Sequence, residues 1–223
     1  MEETQDSNTQ KTSDIPAHLL YIFTNVTYKD KIMKLIYFHG FGSSSQSGTI
    51  RTLREKLTDF VVIAPDIPVD PQDALPFLKQ LCNEVQPDVV IGTSMGGMYA
   101  QQMAGFNRIC VNPAFEMSTK SKVLKVGTFQ YFKPRKDGET NFTITPEIIE
   151  HFADMEQHQF NEENVNDKKQ VWGLFGNDDK QVNGEHVFRC YYDNVIHFAG
   201  EHRMNDTVIN EVLIPLIRKI TKS

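Results

Sequence analysis

Residues 88–104, DVVIGTSMGGMYAQQMA, decide the fold. Asp88 leads into Val89-Val90-Ile91, an apolar β-branched run of the kind that forms a buried strand of a parallel sheet. Met98 to Ala104 are good helix formers. Between them Gly92-Thr93-Ser94-Met95-Gly96 fits G-x-S-x-G, a pattern that gains meaning only in a strand–turn–helix setting. The bare pattern arises by chance in roughly one chain of this length in ten. The flanking strand, the helix and the third glycine, Gly97, lift it above an ordinary glycine-rich turn. In so sharp a turn the serine backbone is strained. Glycine two before and two after Ser94 removes the Cβ clashes, and Gly97 lets the helix start lie close to the sheet. Free N–H groups at that helix start favour negative charge developing on whatever Ser94 attacks.

Working outward, apolar runs alternate with helical patterns. Lys34 to Phe38 and Phe60 to Ala64 read as buried strands, the first running into His39-Gly40-Phe41-Gly42-Ser43-Ser44. A helix over about Ser47–Leu57 would put Ile50, Leu53 and Leu57 on one face. A second, capped by Asp73, would carry Leu75, Phe77, Leu78, Leu81 and Val85. Arg108 to Val111 is a further strand ended by Asn112-Pro113, and Leu19 to Val26 adds an edge strand. From Ala114 to about Asp167 the alternation breaks down. A basic, aromatic stretch there leads to a helix from Pro146 to about Gln157, with Thr145 as cap and Pro146 at its first position. Gln170 to Phe175, a helix near Gly184–Tyr192, Asn194 to Phe198, and a helix over about Asn205–Lys219 complete the pattern. Strands alternating with helices give a mostly parallel, doubly wound sheet with helices on both faces. The 114–167 stretch has the place and size of a small cap or lid, within one domain spanning 15–223 behind a polar, disordered leader at 1–14.

Composition narrows the classes. A chain of 223 residues with 39% hydrophobic residues can bury a sizeable core. The net charge of −6 argues against a nucleic-acid partner. There is no apolar run of about 18 residues to span a membrane, and the N-terminal residues lack the basic and apolar regions of a signal peptide. Three scattered cysteines, Cys82, Cys110 and Cys190, have no metal-ligand spacing. Together these point to a cytoplasmic protein.

A serine hydroxyl needs a base to take its proton, and the base needs an acid to hold its tautomer. Ligands in such sheets sit at the carboxyl ends of the strands, and the expected order along the chain is Ser, acid, His. His202 lies just beyond the last strand, in Ala199-Gly200-Glu201-His202. His197 lies inside a strand, His186 inside a helix, and His151 and His158 in the 114–167 region. His39 precedes Ser94, where the oxyanion loop belongs. The preceding strand ends in Gly176-Asn177-Asp178-Asp179-Lys180-Gln181-Val182. Asp179, three after the glycine and three before the valine, is favoured as the acid, with Asp178 the alternative. The N–H of Met95 and one from His39-Gly40-Phe41-Gly42, with Phe41 the donor, would form an oxyanion hole. Each such donor is worth about 3 kcal/mol of transition-state stabilisation.

Four segments now resemble the α/β-hydrolases, and among them the small YqiA-like esterases: YFHGFGSS at 37–44, IGTSMGGMYA at 91–100, VNPA at 111–114 and GEH at 200–202. The resemblance runs from about residue 34 to the end, least well over the lid. It implies an α/β-hydrolase fold and a serine hydrolase of carboxylesterase or thioesterase type, with Ser94, Asp179 and His202 at the triad positions. It also implies that the enzyme needs no metal or cofactor.

The lid suggests what is bound. Lys120, Lys122, Lys125, Lys133, Arg135 and Lys136 fall between 118 and 136 with no acid among them. That patch is expected to draw an anionic ester or thioester, though it also fits a merely solvated surface. Phe129, Tyr131 and Phe132 are candidate walls of an acyl pocket. An aminopeptidase or transacylase would use the same triad, a peptidase adding an acidic anchor such as Glu139, Glu147 or Glu150. A non-catalytic relative would bind a ligand or protein partner instead, but has no need to keep base, acid and nucleophile together.

Overall fold

The computed structural model describes residues 32–222 apart from 121, 123 and 164. The expected leader and the strand over 19–26 lie outside these residues. In chain order the strands are β1 (Met33–Phe38), β2 (Phe60–Ile63), β3 (Val89–Thr93), β4 (Arg108–Val111), β5 (Gly127–Gln130), β6 (Asn141–Ile144), β7 (Val171–Gly176) and β8 (Asn194–Phe198). Six of them form one parallel sheet in the order β2-β1-β3-β4-β7-β8, with Ile36 paired to Val90 and Gly92 to Cys110 at its centre. The remaining two, β5 and β6, make a separate antiparallel hairpin.

The strand sequences are apolar on both faces because both faces are covered. Ile36, Phe38, Val90 and Cys110 face one core layer; Leu35, Tyr37, Val89, Ile91, Ile109 and Val111 face the other. Each aliphatic side chain taken fully out of water contributes about 2 kcal/mol, so the layers bind the sheet from both sides. Helix α1 (Gly48–Lys56) covers the second layer, with Ile50, Leu53 and the following Leu57 fully buried. Helices α2 (Pro71–Val85) and α3 (Met95–Gln101) cover the first.

The first two differences from expectation concern helix starts. The N-cap of α2 is Asp70 rather than Asp73, accepting the Gln72 N–H at 2.9 Å. Pro71 at the first position has no N–H to satisfy and a φ already suited to the helix. Helix α3 begins at Met95, directly after Ser94, because the Ser94 carbonyl already accepts the N–H groups of Gly97 and Met98.

Residues 114–167 contain more structure than expected. Helix α4 (Met117–Lys120) precedes the β5–β6 hairpin, which is followed by α5 (Pro146–His158) and α6 (Val165–Lys168). The hairpin buries Phe142 and Ile144 and leaves Asn141 and Thr143 exposed, a two-residue alternation that the basic residues around it obscure. Thr145 and Pro146 open α5 as expected, Thr145 Oγ1 accepting the Ile148 N–H at 3.3 Å. Deeper in, the fully buried Arg108 pairs with Glu163 at 2.6 Å and Asp167 at 2.7 Å, and donates to the Gln101 carbonyl.

Beyond β7, α7 (Glu185–Phe188) is a single turn, shorter than the expected helix near 184–192. The last helical run comprises α8 (Asp206–Val208), a wide π turn over Ile209–Leu213, and α9 (Ile214–Thr221). Pro215 accounts for the wide turn, since it donates no N–H and crowds the carbonyl four residues back. Among the described residues no helix is long and apolar enough to cross a membrane.

Candidate active site

The carboxyl ends of β1, β3, β7 and β8 open toward one cavity of about 1250 Å³. Ser94 lines it from the β3–α3 turn, with φ 58° and ψ −120°, a conformation that L-residues rarely adopt. The surroundings explain how that strain persists. A Cβ on Gly92 would lie 1.9 Å from the Gly96 carbonyl oxygen, and one on Gly96 would lie 2.1 Å from that of Phe38. No side chain fits at either position, so the chain closes over itself and holds Ser94 at the apex. The Ser94 N–H bonds the Val111 carbonyl at 2.9 Å, which ties the apex to β4.

His202 lines the same cavity from the loop after β8, with its side chain 9% exposed. Its Nδ1 lies 2.7 Å from Asp179 Oδ2. The other carboxylate oxygen of Asp179 accepts the N–H groups of Gln181 (2.8 Å) and Val182 (3.1 Å). The acceptor role of Asp179 makes His202 Nδ1 the protonated nitrogen and leaves Nε2 its lone pair. The Asp178 carboxylate is exposed, and its N–H goes to the Gly200 carbonyl. Of the two neighbouring aspartates, the structure brings Asp179 to the histidine.

His39, Gly40, Phe41 and Gly42 line the cavity beside Ser94. A Cβ on Gly40 would come within 3.5 Å of the Ser94 Cβ, so the loop passes close to the apex. His39 is buried beneath it. Its Nε2 accepts the Ile67 N–H at 3.1 Å, so its Nδ1–H must donate to the Gly40 carbonyl at 2.9 Å. Burial pushes this imidazole down to about 4, against the opposing pull of the Gly40 carbonyl and Asp66. His39 is therefore neutral at pH 7 and serves as a strut. The remaining histidines among the described residues have other partners: His197 bonds Glu185, His151 bonds Asp70, and His158 and His186 each bond a backbone carbonyl. Cys82 and Cys110 are buried, which pushes both thiols up to about 12 and leaves them without thiolate character.

The walls divide the expected pocket residues. Phe129 and Phe132 line the cavity, joined by Phe115, Met117 and Phe142. Tyr131 does not: its ring packs on Phe142 at 4.7 Å and its hydroxyl accepts from Arg135. The basic patch divides likewise. Lys120, Lys122, Lys125 and Lys133 reach the cavity. Arg135 and Lys136 instead bond the carbonyls of Ile67, Asp66 and Ala64 in the loop after β2. Their hydrogen bonds to that loop hold both side chains away from the cavity.

Asn112 was not singled out from sequence, yet it joins three strand ends. Its amide group donates to the carbonyls of His202 (3.0 Å) and Glu201 (3.3 Å), and its carbonyl accepts the Gly176 N–H (2.9 Å). The one available sequence signal is an Asn-Pro pair at a strand's carboxyl end.

The model of the family described as "Uncharacterised protein family (UPF0227)" matches residues 34–207. The chain belongs to this family, that of the YqiA-like esterases. The family match takes in Ser94, Asp179 and His202 and includes the hairpin. Solved structures share the fold at low identity. Mouse alpha/beta hydrolase domain-containing protein 10 superposes with a TM-score of 0.62 at 16% identity, over 87% of this chain and 91% of that one. Est1E from Butyrivibrio proteoclasticus gives 0.58 at 17%, over 87% and 88%. A soluble variant of monoglyceride lipase from Saccharomyces cerevisiae gives 0.58 at 13%, over 88% of each chain. The sheet is that of an α/β-hydrolase, as expected from the Ser94 turn.

Proposed function

We propose that this chain is a serine hydrolase of carboxylesterase or thioesterase type, acting in the cytoplasm through an acyl-enzyme on Ser94. The observation that carries the reading is the 2.7 Å contact of Asp179 with His202, which lines the same cavity as Ser94. His202 Nε2 takes the Ser94 proton as the hydroxyl oxygen attacks the ester or thioester carbonyl carbon. The carbonyl π electrons move to oxygen, and the N–H groups of Phe41 and Met95 receive that charge. Asp179 stabilises the imidazolium so formed. Collapse of the tetrahedral species expels the alkoxide or thiolate, which takes the proton from His202. Water then repeats the sequence on the acyl-enzyme and releases the acid and free Ser94.

The 114–167 region acts in this reading as a cap, its aromatic side chains accepting the acyl group. Lys120, Lys122, Lys125, Lys133, Lys180 and Arg203 ring the cavity against the two carboxylates Glu116 and Asp206, in a chain of net charge −6. That imbalance favours an anionic substrate. For an anionic ester kcat/KM should then fall with salt far more than for a neutral ester of equal chain length. Equal salt dependence removes the anionic preference.

Labelling with a fluorophosphonate probe tests the main reading. Wild type and Asp178→Asn should label strongly, Ser94→Ala and His202→Ala should not, and Asp179→Asn should label slowly. Folded wild type that does not label overturns the assignment.

A further inference from the structure

We infer that Asp66 is a positioning residue for the oxyanion loop, and that it acts by clamping the β5–β6 hairpin to that loop. The inference rests on the serine-hydrolase reading for its catalytic consequence, but not for the clamp itself. Asp66 lies in the loop after β2 and touches both partners. Its Oδ1 accepts the Ser45 N–H at 2.6 Å and its Oδ2 accepts the Lys136 N–H at 2.8 Å. Burial raises its pKa, but the two amides and the nearby Arg135 outweigh burial and hold the carboxyl below its ordinary range. It is therefore a carboxylate, an acceptor at both oxygens, at neutral pH.

The contacts around it close a ring. The Arg135 guanidinium donates to the carbonyls of Ile67 (2.8 Å) and Asp66 (3.1 Å), drawing the hairpin turn onto the same loop. At the other end of that segment, the Phe132 N–H donates to the Gly42 carbonyl at 2.8 Å. Gly42 directly follows Phe41, whose ring meets Phe142 of β6 edge-on at 5.3 Å. Residues 39–45 are thus held from below through His39 and Ile67, and from the side by the hairpin. Asp66 joins the two supports. An oxyanion donor works only when its N–H already points at the developing charge, and small misplacements at a reacting centre are costly in rate. Loosening this ring should therefore lower kcat and leave ground-state binding nearly intact. The hairpin, on this reading, belongs to the catalytic frame and is not a freely swinging lid.

The test combines hydrogen exchange with kinetics on Asp66→Ala and Asp66→Asn in the full chain. In Asp66→Ala, amides in both 43–45 and 131–136 should exchange faster while β3 stays protected. Hydrolysis of a neutral p-nitrophenyl ester should lose about 10- to 100-fold in kcat with KM within about threefold. Asp66→Asn keeps one acceptor oxygen and should fall between, and it carries both readouts if the alanine variant does not fold. Faster exchange in one segment alone overturns the clamp. A raised KM with unchanged kcat overturns the positioning role. If wild type hydrolyses no ester, the hydrolase reading falls, while the exchange data still decide the clamp.

Discussion

The two sides of the cavity are held by different physics. The Ser94 side is fixed by exclusion: Gly92, Gly96 and the Phe38 carbonyl leave no room for a Cβ, so the strained apex has nowhere to relax. The Asp179–His202 side is fixed by hydrogen bonds, with Asp179 holding two backbone N–H groups and the imidazole, and Asn112 spanning three strand ends. Steric closure admits no substitution of any polarity. A hydrogen-bonded frame admits isosteric changes of structure, but each misplaced donor is felt in the chemistry. Mutations on the first side should therefore break the fold, and those on the second should break the reaction.

The largest effect expected is on the hydrogen-bonded side. Asp179→Asn keeps the size of the side chain but sets an amide N–H against His202 Nδ1–H, or forces the other tautomer. Under the proposed mechanism kcat should fall about 10⁴-fold, with Tm changed by only a few degrees. Ester hydrolysis followed alongside thermal unfolding checks both halves. A variant that loses stability as steeply as activity would mean that this side, too, is held by packing. On the other side, Gly96→Ala should cost more than about 4 kcal/mol of stability, or yield no folded chain. Denaturant unfolding measures it; a cost under about 1 kcal/mol would show that the turn opens readily.

This same contrast governs what could be read from the sequence. Steric closure leaves a local trace, since Gly92, Ser94 and Gly96 stand within five residues of one another, between an apolar strand and a helix. His39 and His202 were legible for a related reason, the first following directly on an apolar strand and the second lying on the short loop beyond one. Hydrogen-bonded frames leave no such trace. Asn112 meets His202 across 90 positions and Asp66 meets Lys136 across 70, and nothing local marks either pair. The choice between Asp178 and Asp179 also stayed open, because it turns on direction within a single turn. The Asp179 N–H bonds back to the Gly176 carbonyl, and that reversal aims its side chain at β8. The hairpin was hidden by its brevity: GTFQ at 127–130 and NFTI at 141–144 are too short for a legible alternation, and the lysines around the first mark 118–136 as a charged surface.

A smaller effect tests His39, the strut beneath the Ser94 side. Its pKa near 4 in the folded state lies below the unfolded value of about 6.5. Between these values the unfolded chain binds more protons, so stability rises with pH in that window. The contribution is fully present above about pH 6.5 and is lost as pH falls toward 4, on the order of 3 kcal/mol in all. Denaturant unfolding of wild type at pH 7, 5.5 and 4.5 should show this slope, and His39→Gln should flatten it. A slope identical in both proteins would place the titration elsewhere.

The smallest effect on turnover is also the sharpest test, because Asn112 combines both kinds of restraint. It is buried, it makes three hydrogen bonds across strand ends, and its φ of 42° lies in the left-handed region that asparagine tolerates better than most residues. Asn112→Ala removes the hydrogen bonds and puts a less tolerant residue at that φ, together about 4 kcal/mol. Asn112→Gly removes the same bonds but is unstrained. If the frame around His202 is held by hydrogen bonds, the glycine variant should regain about 1 kcal/mol over alanine. Both should share a loss of about tenfold in kcat, the kinetic equivalent of one such bond. Recovery of kcat along with stability in the glycine variant would mean that backbone conformation, not the amide, sets the position of His202. The two sides of the cavity would then be built alike.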